Sequence, residues 1–87
     1  MTTIRLKVEA FAGTTIDEAC RDLCALADRV QILCEADFNG VKLWAYPGTD
    51  PGKLATAWDI QMKRPAHLYR IAMARPAGVL EPTKEQR

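Results

Sequence analysis

No apolar run long enough to cross a bilayer occurs in this 87-residue chain, and the opening Met-Thr-Thr-Ile-Arg-Leu-Lys has neither an apolar core nor a cleavage pattern. Both absences argue against a membrane span and a signal peptide, so a cytoplasmic location is expected. There is no Cys-x-x-Cys pair. The three cysteines, Cys20, Cys24 and Cys34, are odd in number and suit a reducing compartment better than a disulfide scaffold. A single histidine, His67, is thin material for a nucleophile beside an oriented base. Gly48 and Gly52 flank a turn and match no phosphate-binding glycine loop. The net charge of +1 argues against attachment to DNA mainly by bulk electrostatics and equally against acidic mimicry of it. One absence is local: from Ile60 to Leu80 there is no acid, while Lys63, Arg64, Arg70 and Arg75 supply a candidate basic edge.

What is present is 48% hydrophobic residues with balanced charge and no visible repeat or linker, the composition of one small globular domain. The domain is expected over residues 1–75, with 76–87 a loose tail that lacks any period. At this size folding hides roughly 60 to 65% of the unfolded surface, so a homodimer is the expected source of added stability.

Ile4 to Ala10 alternate apolar with polar, the mark of a strand buried on one face. Thr15-Ile16-Asp17-Glu18 is a capping box that opens an amphipathic helix through Ile16, Ala19, Cys20, Leu23, Ala27 and Val30. Two further apolar runs, Gln31 to Phe38 and Val41 to Tyr46, flank Asn39-Gly40, the strongest short hairpin signal. Asp50-Pro51 then starts a second helix by N-cap and proline at the first helical position; it carries Leu54, Trp58 and Met62 and ends near Arg64. His67 to Ala74 is read as a final strand. The order β-α-β-β-α(-β) implies an α+β two-layer sandwich of ferredoxin-like type, with an antiparallel or mixed sheet. Right-handed crossovers place both helices on one face and the third strand between the first and second.

The Asn-Gly turn fixes a register, with Phe38 opposite Val41, Ala36 opposite Leu43 and Cys34 opposite Ala45 on the dry side. The other side pairs Asp37 with Lys42, Glu35 with Trp44 and Leu33 with Tyr46. Arg5, Lys7 and Glu9 should share that side. The candidate partner-binding residues are therefore Trp44, Tyr46, Lys42, Arg5 and Lys7. Aromatics and arginine are the residue types enriched at interface hot spots.

Ala10-Phe11-Ala12-Gly13, the acidic capped helix, Phe38-Asn39-Gly40-Val41, Pro47-Gly48 and Asp50-Pro51 together resemble a group of small phage and prophage α/β proteins over roughly residues 4 to 62. The resemblance implies a viral or prophage origin and an accessory role. Such proteins often bind a host protein, including components of antiviral defence. The group supplies no functional motif to carry over by position.

Cys20, Cys24, Cys34 and His67 form a zinc-compatible set in kind but not in spacing, because Cys20 and Cys24 lie one helical turn apart and Cys34 points inward. Core packing explains them better, so no metal or cofactor and no enzymatic centre is expected. The function expected is non-enzymatic binding of a host protein. The alternative is a nucleic-acid-binding domain that stacks bases on the basic and aromatic sheet face, although Glu9, Glu35 and Asp37 would repel phosphates.

Overall fold

The computed structural model describes residues 4–74. The elements run β1 (Leu6–Glu9), α1 (Ile16–Val30), β2 (Cys34–Phe38), β3 (Val41–Ala45), α2 (Pro51–Met62) and β4 (Ile71–Met73). They form a four-stranded mixed sheet with two helices, the two-layer α+β sandwich that the segment order implies. The expected tail, 76–87, and Arg75 lie outside the described residues.

Local chemistry accounts for the element ends. The Thr15 hydroxyl accepts from the Glu18 amide at 3.2 Å while the Glu18 carboxylate accepts from the Thr15 amide at 3.0 Å, so two orphan donors of α1 are satisfied reciprocally. Gln31 closes α1 in the left-handed region, its amide returning to the Ala27 carbonyl at 2.8 Å, and β2 accordingly begins at Cys34. At α2, Asp50 accepts from the Lys53 amide at 3.0 Å ahead of Pro51. In the hairpin Asn39 and Gly40 have φ of 53° and 80°, the pair of positive values that a two-residue turn of matching twist requires. The resulting register pairs Phe38 with Val41, Ala36 with Leu43 and Cys34 with Ala45. Residues 65–70 are turn and coil, so the last strand keeps only Ile71–Met73 of the expected His67 to Ala74.

The core lies between sheet and helices. Cys20, Leu23, Cys24 and Ala27 of α1 and Leu54 of α2 meet Cys34, Ala36, Val41, Leu43, Ala45 and Ala72 of the sheet. Trp58 packs at its margin, edge-on to Phe38 with its indole N–H donating to the Phe38 carbonyl at 3.1 Å.

Strand order corrects the sequence reading. The third strand does not lie between the first and second; the sheet runs β1-β2-β3-β4, with β1 parallel to β2, β2 antiparallel to β3 and β3 parallel to β4. Both crossovers step the same way across the sheet while their strands point in opposite directions, and both helices cover the same face. The two crossovers must therefore have opposite hands, and one is left-handed against the strong right-handed preference. An interleaved sheet would put β1 in the middle. Its charged alternation, Arg5, Lys7 and Glu9, suits an edge instead.

Candidate binding face

The face of the sheet opposite the helices carries Lys7 and Glu9 from β1, Glu35 and Asp37 from β2, Lys42 and Trp44 from β3 and Ile71 and Met73 from β4, as the ladder registers place them. Arg5, just before β1, reaches the same face. The side-chain sorting made by Asn39-Gly40 holds, although β2 rather than β3 is the neighbour of β1. Sharing a face depends on the pleat, and the pleat depends only on register.

Glu35 is the unexpected member. A carboxylate on this side should be solvated, yet Glu35 is only 3% exposed. Lys42 Nζ donates to its Oε2 at 3.1 Å, and Arg5 Nε lies 2.8 Å from its Oε1 as an ion pair outside hydrogen-bond alignment. Lys42 also stands 3.8 Å from Asp37 Oδ1. The Glu35 hydrogen bond, reinforced by the Asp37 charge, holds the Lys42 ammonium above its ordinary pKa. The Arg5 guanidinium continues past Glu35 and sits 5.5 Å from the centre of the Trp44 ring, in cation–π range. Trp44 is thereby half-buried, and its indole N–H is shielded with no acceptor among the described residues.

The other predicted residues are dispersed. Tyr46 follows β3 and is half-buried at the turn, where its amide donates to Thr49 Oγ1 at 2.9 Å. Lys63 pairs with Asp59 at 3.2 Å, one helical turn back. Arg70 turns its Nη1 toward the Arg64 carbonyl at 3.4 Å, and it crowds the hairpin so closely that a Cβ on Gly40 would meet its Nη2 at 3.0 Å. Of the expected basic edge, Lys63 is thus paired with Asp59 of α2 and Arg70 reaches the Arg64 backbone, while Arg75 falls outside the described residues.

Two linkages escaped sequence reasoning. Asp28 Oδ1 accepts from the Gly48 amide at 2.6 Å, tying the end of α1 to the turn after β3. Buried Thr49 donates to the Ala74 carbonyl at 2.9 Å and so holds the end of β4. Both join residues at least 20 positions apart through one side chain, and local pattern carries no trace of such pairs. The cysteines are all free and buried. Desolvation pushes the Cys20 thiol up to about 12 and the Cys24 thiol to about 11, and raises Cys34 as well, so thiolate chemistry is suppressed. Among the described residues no group of three metal-ligating side chains converges, and no helix is long and apolar enough to cross a membrane.

No protein-family model matches the chain, and neither a curated protein nor a solved structure is significantly similar to it.

Proposed function

We propose that this chain is a non-enzymatic binding protein that docks another protein on the open face of its sheet. The observation that carries the reading is the composition of that face. Arg5, Lys7 and Lys42 are balanced there by Glu9, Glu35 and Asp37, and the Arg5 guanidinium sits over the Trp44 ring. A phosphate backbone needs cations that are free to release counterions, whereas Arg5 and Lys42 are already engaged by carboxylates. A neutral, charge-patterned platform with an aromatic and an arginine at its centre fits a protein surface.

The biological setting in this reading comes from the resemblance in segment order. The chain acts in the cytoplasm of a bacterial host as a phage or prophage accessory protein, and its partner is a host protein, with a component of antiviral defence as the target class. Nucleic acid is the second reading, favoured only by the stacking surface of Trp44 beside Arg5 and Lys7.

Affinity capture from a host lysate followed by mass spectrometry tests the proposal with three baits: the wild-type chain, Trp44→Ala and Asp37→Arg. A host protein retained by wild type and lost with both variants, whose circular dichroism stays native, is the expected result. Equal retention by all three excludes the open face. Salt-dependent retardation of a single-stranded oligonucleotide by wild type, without a captured protein, would promote the second reading.

A further inference from the structure

A second surface lies at the free edge of β1. This strand ends the sheet and, apart from half-buried Val8, is exposed along its length. The Leu6 amide donates to Leu33 in β2 at 2.9 Å. By alternation the backbone groups of Leu6 and Val8 face β2, and those of Lys7 and Glu9 face outward without a strand partner among the described residues. Apolar residues in and beside this strand are poorly covered: Leu6 is 36% exposed, Ile4 just before it 69% and Phe11 just after it 89%. Beside them a cleft of about 250 Å³ opens between β1 and α1, its wall apolar at Val8, Leu23 and Leu26 and its rim polar at Glu9, Thr14 and Asp22. It is smaller than the pockets that enclose small-molecule ligands and of a size to take apolar side chains.

We propose that β1 pairs antiparallel with β1 of a second copy of this chain, forming a two-fold dimer with a continuous eight-stranded sheet. The occupant follows from charge. Outward-facing backbone must meet outward-facing backbone, which leaves only registers whose two-fold axis passes through a residue. Centred on Leu6, Arg5 would oppose Lys7 twice; centred on Lys7, two lysines would meet; centred on Glu9, two glutamates would meet. Centred on Val8, each Lys7 opposes Glu9 of the other copy, and no like charges stand directly opposite, an arrangement that stabilises paired strands.

The same register sets Leu6 of the second copy opposite Ala10, which lines the cleft. Exposed Leu6 and a largely apolar cleft that no described residue fills are thus brought together by one symmetry operation. The inference does not rest on the open-face reading, and it would extend that face across both copies.

Sedimentation velocity of the full chain over a concentration series tests it. Wild type should approach twice the chain mass as concentration rises. Lys7→Glu and Glu9→Lys should each sediment at the chain mass when alone, since each sets like charges opposite one another. An equimolar mixture of the two should restore the dimer, as should the doubly exchanged chain. Wild type at the chain mass at every concentration, a dimer indifferent to both single changes, or a mixture that fails to associate would each overturn the proposal. Hydrogen exchange of wild type needs no variant: the Lys7 and Glu9 amides should slow as concentration rises, and exchange that stays fast would contradict the pairing. Neither readout depends on host capture, so the two proposals fail separately.

Discussion

A carboxylate removed from water on an otherwise open sheet face needs cations held over it, and Glu35 has two, Arg5 and Lys42. Both cations stay partly exposed and can regain water if the carboxylate goes. Glu35→Ala should therefore destabilise the fold by about 1–2 kcal/mol, below the cost of breaking a fully buried pair. Urea unfolding measures this. The same change frees Arg5 from its place over Trp44, so the emission of Trp44 should shift relative to a Trp58→Phe background. At the start of α1, the backbone and side-chain bonds from Thr15 hold the Glu18 carboxyl below its ordinary pKa. A lowered folded value means stability that is present above the unfolded pKa and lost as pH falls through the folded one. Glu18→Gln should lower the melting temperature near neutral pH, and the gap to wild type should close as pH drops below the ordinary glutamate range. The thiols behave oppositely: with folded values raised, their contribution holds below the unfolded thiol pKa and fades as pH rises beyond it. Cys20, Cys24 and Cys34 should resist alkylation at mildly alkaline pH and react once the chain is unfolded, which mass spectrometry reads directly.

At the scale of elements, what could be read from the chain depended on how local the cause was. The α1 capping box, the Asp50-Pro51 start of α2 and the Asn39-Gly40 turn each lie within four residues, and all three form as expected. Gly40 is held at positive φ with Arg70 against it, so Gly40→Ala should cost about 1–2 kcal/mol in the chemical unfolding of the whole domain. The hairpin register also sorted Cys34 inward and Trp44 outward before any tertiary information. It could not show that Glu35 would be buried on the outward side, because the covering cations come from Arg5, ahead of β1, and from the length of Lys42. Nor could it give the end of β4, which depends on Thr49 reaching Ala74.

The whole molecule departs from expectation in one respect, strand order, and the departure has a consequence. The right-handed rule treats each crossover singly. Here a sequential sheet with both helices on one side forces crossovers of opposite hand. The outcome is legible only afterwards, in the charges that make β1 an edge and in the burial of Ala72 beside Leu43. With both helices on one side, no described element covers the opposite side of the sheet, and that side is the surface proposed for the partner. Site-specific photo-crosslinking in host cells tests this assignment most directly. A photoreactive residue at Asp37, exposed on the open face, is compared with one at Thr56, exposed on α2. Position 37 should link to a host protein and position 56 should not. A protein adduct from position 56 alone, or adducts from position 37 to nucleic acid only, would contradict it.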